Sequence, residues 1–335
     1  SCQFLMMQMS IEVAIKGPES WKPDRPTSSG ATAFHDAVID ASWLHDCVDK
    51  LTEFVAPRIR ENDIVVDFGA GTGTSSARIL KRFDSRIRLW LVDNSPAWLG
   101  KAYEFLSSRS NVNFFILDKK QDRFATLSET LGNDSVNHVF SANTIHLIPD
   151  LKETFRGIFN AIKKNGSFIF NSGNIIREEK PDGALMLDST VYRVHDIALN
   201  IIKTNSQFKK YRNGLYEKIE STLPQRKFVF HYPRDVKEYI STLKETGFSQ
   251  IQVCYKLIKI KYSDYLKFLR VRRLQAGMLP EIGGTEPSPE EEKDRDKLIT
   301  MASLKFFQEL KESNPLADGN SFVGEWAYVS ALKSF

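Results

Sequence analysis

Three glycines alternate with other residues in a short turn that directly follows an apolar segment, residues 64–66. They are Gly69, Gly71 and Gly73, and an acidic residue, Asp67, stands two positions before the first of them. Glycine lets a backbone adopt positive φ and pass close to a ligand, because no Cβ blocks the approach. The turn therefore predicts a nucleotide-type site at the end of a buried strand.

The residues around this turn limit which nucleotide it would hold. Residues 74–80 predict a helix start, whose backbone N–H groups would point back at the ligand. Thr74 stands where the dinucleotide pattern Gly-x-Gly-x-x-Gly requires its third glycine. The Asp67 carboxylate would repel a pyrophosphate, whereas it would suit a ligand that carries an ammonium or sulfonium charge. Both features argue against an NAD-dependent oxidoreductase.

The turn from Asp67 to Gly73 resembles the first motif of the class I S-adenosylmethionine (SAM) methyltransferases. Four further segments resemble strands of that family, in the family's order: residues 88–93, 111–118, 136–143 and 166–171. The second and third strands each end in an acid, Asp93 and Asp118. The resemblance covers residues 64–174.

The resemblance implies an α/β fold, a Rossmann-like, doubly wound, seven-stranded sheet with an antiparallel last strand. It implies SAM as cofactor and S-adenosylhomocysteine as product, with Asp93 on the ribose hydroxyls and Asp118 at the adenine edge. Both acids have a structural alternative, the capping of the following helix. The predicted cofactor-binding residues are Asp67, Gly69, Ala70, Gly71, Gly73, Asp93, Asn94, Asp118, Lys119, Ser141, Ala142 and Asn143.

Three side chains are candidates for catalysis. In the family the loop after the fourth strand faces the transferred methyl group, so His146 is the candidate general base, since imidazole titrates near neutral pH. Tyr192 and His195 are three residues apart in a helical segment and share a face that can contact the acceptor. The alternative for these three is a structural role. His35 and His45 either reach the pocket or cover a helix face.

Composition and charge narrow the class of protein. A hydrophobic content of 41% and a charged content of 26% are typical of a globular protein with a full core. The net charge of +4 is too small over 335 residues to indicate nucleic-acid binding. Cys2, Cys47 and Cys254 have no metal-ligand or disulfide spacing, so we expect no metal and a cytoplasmic location. The apolar residues 4–9 are too short to span a membrane and lack signal-peptide flanks.

The chain divides into four predicted regions: an N-terminal helical cap (1–60), a SAM-binding core (61–174), a helical lid (175–232) and the C-terminal part of the core (233–335). Within the last region, an insertion at about 262–321 separates the sixth strand from the seventh. We expect this insertion to add substrate contacts or an interface for a homodimer.

A cluster of basic residues lies at the start of this insertion, within residues 256–273. One hypothesis is a basic helix that receives an anionic substrate, because arginine suits carboxylate and phosphate. The alternative is a solvated face that the nearby acidic residues 290–292 balance. The basic residues are Lys256, Lys259, Lys261, Lys267, Arg270, Arg272 and Arg273.

The function predicted from these features is methyl transfer to a small molecule. The segment 141–144 departs from the Asn-Pro-Pro-Tyr-like signature of base or amide methylation, and we see no RNA-binding module. Methylation of a protein or a carrier-bound substrate stays open. A non-catalytic relative of the fold is a further alternative, although the complete glycine turn and its acids argue against it.

Overall fold

The computed structural model of the chain describes residues 18–334, so the predictions for Cys2 and for residues 4–9 lie outside the described residues. The strands within that range are β1 (Asp63–Phe68), β2 (Ile87–Asp93), β3 (Val112–Ile116), β4 (Val136–Ala142), β5 (Ile162–Ser172), β6 (Ile175–Ile176), β7 (Arg234–Asp235), β8 (Ser249–Lys261) and β9 (Ser321–Leu332). The helices are α1 (Ser29–Val38), α2 (Ser42–Val55), α3 (Thr74–Phe83), α4 (Pro96–Leu106), α5 (Leu127–Leu131), α6 (Leu151–Ala161), α7 (Leu187–Thr204), α8 (Leu215–Val229), α9 (Val236–Glu245), α10 (Tyr262–Leu269), α11 (Arg272–Met278) and α12 (Pro289–Ser313).

Seven strands form one sheet in the order β3-β2-β1-β4-β5-β9-β8. The first five pair in parallel, and β9 runs antiparallel to both β5 and β8. This confirms the predicted Rossmann-like sheet with its antiparallel last strand. The direction of winding reverses between β1 and β4, so the carboxyl ends of these two strands border the crevice where such sheets bind ligands.

Helices cover the central strands on both faces, which explains why these strands are continuously apolar. Successive residues of β1 show this, since Val65 packs into one hydrophobic cluster and Val66 into the other. The first cluster includes residues of α2, α7 and α12, and the second includes residues of α6 and α9. The sheet is therefore the middle layer of three.

Two boundaries differ from the sequence-based expectation. The helical pattern of residues 31–55 forms two helices, α1 and α2, because the backbone is extended at Ala41. The backbone N–H and the hydroxyl of Ser42 both donate to Asp264 of α10, at 3.2 and 3.1 Å, which fixes the start of α2. The sequence also predicts a helix near residues 123–131, and the structure confines it to α5, where Thr126 and Glu129 form a capping box.

The prediction of a single basic helix within residues 256–273 is also wrong. Lys256, Lys259 and Lys261 lie on β8, and the remaining basic residues are divided between α10, the link after it and α11. The lid helix α7 packs against the long helix α12 of the insertion. The predicted lid and the predicted insertion are thus in contact with each other. The division of the chain into four regions stays a prediction.

Candidate active site

The glycine turn lies between β1 and α3. Gly69, Gly71 and Gly73 have φ of +74°, +54° and +81°, as their spacing predicts for a left-handed turn. A Cβ built on Gly69 would lie 2.2 Å from Cγ2 of Thr144, in the loop after β4. The Thr144 hydroxyl donates to the Gly69 carbonyl at 3.2 Å. The loop after β4 therefore rests directly on the turn.

Asp67, at the end of β1, is buried beneath this turn with 1% of its surface exposed. Its Oδ2 accepts a hydrogen bond from the Ser76 hydroxyl at 2.5 Å, and its Oδ1 has no partner among residues 18–334. Burial, with a smaller contribution from the charge of Asp93, raises the pKa of Asp67 to about 7, against the opposing hydrogen bond from Ser76. The turn thus contains a carboxylate oxygen that lacks a donor or a cation.

Asp93, at the end of β2, supports the turn from the side. Its Oδ2 accepts from the Gly71 N–H and its Oδ1 from the Ser95 N–H, both at 2.8 Å. Burial raises the pKa of Asp93, and the N–H donors of Ser95 and Gly71 oppose that shift. The carboxylate therefore stabilises the turn and the start of α4, while it remains half-buried beside the turn.

The remaining residues of this edge are more exposed. Asn94 is exposed, and so are Asp118 and Lys119, which lie beyond the end of β3. The Leu117 N–H donates to the Asp93 carbonyl at 2.9 Å, which brings the end of β3 next to the end of β2. Asp118 follows Leu117 and therefore lies at the same edge of the sheet as Asp93. Its contact with a cofactor stays a prediction.

The predicted residues at the end of β4 hold the sheet edge together. The Ser141 hydroxyl donates at 2.7 Å to the last carbonyl of β1. Ala142 is buried, and Asn143 has a positive φ of +54°. The Asn143 Oδ1 accepts from Nε1 of Trp326, on β9, at 2.7 Å. These contacts fix the loop that rests on the turn, and a direct role of the three residues with the cofactor stays a prediction.

His146 has hydrogen bonds at both ring nitrogens. The Asn174 Oδ1 accepts from the Asp188 N–H, so its Nδ2 is the donor to His146 Nε2, at 3.3 Å. Nδ1 then donates to the Ser172 hydroxyl at 2.9 Å. Burial lowers the pKa of His146 to about 3. The imidazole is therefore neutral and held in place, and its role as general base stays a prediction.

Tyr192 and His195 share one face of α7, as predicted, and both have partners in the surrounding helices. The Tyr192 hydroxyl donates to the Phe230 carbonyl at 3.2 Å, and the Arg226 guanidinium lies 4.6 Å from the centre of its ring. His195 is 4% exposed, contacts Arg226, and hydrogen-bonds Glu281 of the insertion at 2.9 Å. These two residues fasten the lid, and their contact with an acceptor stays a prediction.

Aromatic side chains from three segments cover the turn, and the sequence reasoning did not assign them to the site. Trp98 in the first turn of α4 is the nearest side chain to a Cβ built on Gly71, at 3.7 Å. Phe34 of α1 contacts Trp98 (ring centres 4.5 Å apart) and Phe268 of α10 (6.3 Å). The guanidinium of Arg273 lies over the Trp98 ring at 5.3 Å. Trp98 stands five positions after the strand-end acid Asp93, and a large aromatic residue at this place in the first turn of the following helix was the signal in the sequence.

Of the two N-terminal histidines, only His35 meets the turn. Its Nδ1 lies 3.1 Å from the Thr72 carbonyl, and burial lowers its pKa. His45 instead bonds the Ile39 carbonyl of its own region at 2.7 Å.

Several side chains of the basic cluster have acidic partners. Arg270 pairs with Asp296 at 2.8 Å, and Lys259 with Asp318 at 3.3 Å. Arg272 pairs with Glu292 of the acidic segment. These ion pairs agree with the alternative, a charged surface whose basic and acidic residues balance. Arg273 differs, because its guanidinium lies over the ring of Trp98.

Residues 18–334 contain no helix with the length and apolarity needed to cross a bilayer. Over the same range, no group of three or more His, Cys, Asp or Glu residues is arranged to hold a metal ion.

Comparison with known proteins identifies methyltransferases as relatives of this chain. The profile of a family described as a methyltransferase domain matches residues 59–246. The putative methyltransferase YqeM of Bacillus subtilis is 25% identical over 225 residues, 63% of this chain and 84% of that protein. The malonyl-acyl-carrier-protein O-methyltransferase 1 of Ilyobacter polytropus is 29% identical over 124 residues, 37% of this chain and 42% of that enzyme.

A solved structure shares the fold. The phosphoethanolamine N-methyltransferase 2 of Haemonchus contortus, in complex with phosphomonomethylethanolamine and S-adenosylhomocysteine, aligns with a TM-score of 0.50 at 17% identity. The alignment covers 91% of this chain and 57% of that one, so the chain spans little more than half of that enzyme. At this identity the likeness concerns the fold alone.

Proposed function

This chain belongs to the methyltransferase domain family, and we propose that it uses SAM to methylate a small molecule bound beneath the predicted lid. Bound SAM supplies an electrophilic methyl group on a sulfonium. The protein's part is to hold the reactants in line, exclude water and remove a proton where the nucleophile carries one.

The residues of the turn fit this cofactor. The Oδ1 of Asp67 is buried without a partner in the part of the chain that the structure describes, and an ammonium or sulfonium group is the ligand chemistry that such a carboxylate favours. Of the three glycines at positive φ, Gly71 has the most space beside its backbone, where the nearest atom to a Cβ would be the Trp98 ring at 3.7 Å, so a ligand can approach the turn there. We assign the cationic end of the cofactor to Asp67 and the ribose hydroxyls to Asp93.

The observation that supports a small acceptor is the aromatic cover of the turn. Phe34, Trp98 and Phe268 come from the N-terminal, core and insertion segments; Trp98 lies against Gly71, and Phe34 contacts both Trp98 and Phe268. Such a cover excludes water and strengthens electrostatic interactions beneath it. It also leaves little room for a protein surface or an RNA helix to approach the methyl group.

Calorimetric titration of the protein with SAM, S-adenosylhomocysteine and NAD tests the cofactor. We expect binding of the first two and none of NAD, and binding of NAD alone would contradict the proposal.

Incubation with tritium-labelled methyl-SAM and separate pools of metabolites, acyl-carrier proteins and peptides tests the acceptor. We expect label in a metabolite fraction. Label only in carrier protein or peptide would establish the alternative class of acceptor.

A further inference from the structure

Arg273 of α11 connects the insertion to the predicted cofactor site. Its neighbours Arg270 and Arg272 pair with acids of α12. Among residues 18–334 Arg273 forms no salt bridge, and its guanidinium lies over the ring of Trp98, 5.3 Å from the ring centre. The N–H donors of Arg273 are therefore available to a ligand that binds beside this ring.

Trp98 and Asp93 show where this guanidinium lies relative to the glycine turn. The Trp98 ring is 3.7 Å from a Cβ built on Gly71, and the Gly71 N–H donates to the Asp93 Oδ2 at 2.8 Å. Burial raises the pKa of Asp93, and the charge of Arg273 is among the groups that oppose this shift, so the two side chains are close enough to interact. The exposed guanidinium therefore lies at the edge of the crevice where Asp93 and Gly71 meet.

Contacts of α10 hold this part of the insertion over the turn. Phe268 packs against Phe34 of α1, with ring centres 6.3 Å apart. Asp264 accepts two hydrogen bonds from Ser42 at the start of α2. Exposed side chains change rotamer much faster than such anchored segments move. The Arg273 side chain can therefore follow a ligand while the helix that precedes it stays in place.

The chemistry of a guanidinium favours one part of SAM over the others. A guanidinium is planar, stacks on aromatic rings and donates from a rigid fork of N–H groups. The sulfonium end of SAM carries a positive charge, which Arg273 repels and which the proposed function assigns to Asp67. The ribose is assigned to Asp93, so the adenine ring attached to it comes within reach of Trp98 and Arg273.

We propose that Arg273 stacks on the adenine ring of bound SAM, so that a residue of the insertion forms one wall of the cofactor pocket. This inference rests on the proposed use of SAM. It gives the basic cluster a cofactor-binding residue in place of the anionic substrate that its arginines suggested. Binding of the cofactor then fastens α11 to the turn, because the guanidinium contacts the ligand and Trp98 together.

The test compares Arg273→Ala and Arg273→Lys with a matched control, Lys267→Ala, which removes an exposed positive charge from the neighbouring helix α10. Calorimetry measures the binding of SAM and S-adenosylhomocysteine, and competition with the latter measures the binding of adenosine. We expect Arg273→Ala to weaken the binding of all three ligands about three- to tenfold, the range of a cation–aromatic contact. Arg273→Lys recovers part of the affinity, since lysine keeps the charge without the planar fork, and the control binds like the wild type.

Hydrogen exchange of residues 262–278 gives a readout that does not depend on affinity. Saturating S-adenosylhomocysteine should slow exchange there in the wild type and in Lys267→Ala, and much less in Arg273→Ala. Thermal unfolding without ligand should be the same in the wild type and the three variants, because the Arg273 side chain is exposed.

Two kinds of failure are distinguishable. A wild type that binds neither SAM nor S-adenosylhomocysteine contradicts the proposed function, and the inference falls with it. When the wild type binds SAM, unchanged binding in Arg273→Ala overturns the inference alone. So does weaker binding of SAM with unchanged binding of adenosine, which would place Arg273 at the methionine end. A control that binds as weakly as Arg273→Ala also overturns it, because net charge would then explain the effect.

Discussion

Asp67→Asn should stabilise the cofactor-free protein above neutral pH, and the structure gives the size of the effect. The pKa of Asp67 is about 7 in the folded chain against an ordinary value of 3.8. Between these values the folded chain holds a proton that the unfolded chain has released, so stability falls as the pH rises from about 4 to 7. A difference of about three pKa units corresponds to about 4 kcal/mol at pH 8.

The asparagine keeps part of the local structure. Its amide oxygen can still accept from the Ser76 hydroxyl, and replacing a charge-assisted bond by a neutral one costs about 1 kcal/mol. We therefore expect a net gain of about 2–3 kcal/mol at pH 8, with a rise of about 3–4 °C in Tm for a chain of this length, and no gain at pH 4. The same variant should lose most of its stabilisation by SAM, because the cation then has no counter-charge.

Thermal and urea unfolding at pH 4 and pH 8, with and without SAM, measure these differences. Ser76→Ala is a control of opposite sign, since it removes the hydrogen bond that lowers the pKa of Asp67. It should be less stable than the wild type at pH 8. An Asp67→Asn variant that is destabilised at pH 8, or that differs from the wild type by the same amount at both pH values, would refute this reasoning.

Three further predictions concern the turn and its neighbours. Asp93→Ala should weaken SAM binding at least about tenfold, because it removes a charge-assisted hydrogen bond worth about 1.5–3 kcal/mol. An unchanged calorimetric isotherm would show that Asp93 only caps the following helix. Gly69→Ala should abolish SAM binding and lower Tm, because the added Cβ would clash with Thr144. Gly214→Ala is the control, since Gly214 also has a positive φ (+66°) but has space for a Cβ, and this variant should retain binding. Equal SAM binding and Tm in the two variants would contradict the steric argument. His146→Gln should bind SAM normally and turn over more slowly, while any acidic limb of the pH–rate profile near neutral pH stays in place, because the pKa of His146 is about 3. Loss of that limb would assign it to His146.

The parts of the fold that local sequence specifies were predictable. The series of apolar strands with Asp67 and Asp93 at their carboxyl ends belongs to this class, because each strand is buried on both faces and each acid is one of its last two residues. Positive φ at Gly69, Gly71 and Gly73 was predictable for the same reason.

Features that depend on distant contacts were not predictable. The break between α1 and α2 is anchored by Asp264, more than two hundred positions along the chain. One partner of His146 is Asn174, whose side-chain amide joins the end of β5, the first turn of α7 and the loop after β4. No local pattern distinguishes that asparagine from one in an ordinary turn.

A crystal structure with S-adenosylhomocysteine bound tests the central claim most directly, namely that the acid-led glycine turn holds the cofactor. We predict the ligand along residues 69–73, with its amino group in hydrogen-bond reach of the Asp67 Oδ1 and its ribose hydroxyls on Asp93. A ligand bound elsewhere on the chain, with both carboxylates out of its reach, would contradict the account.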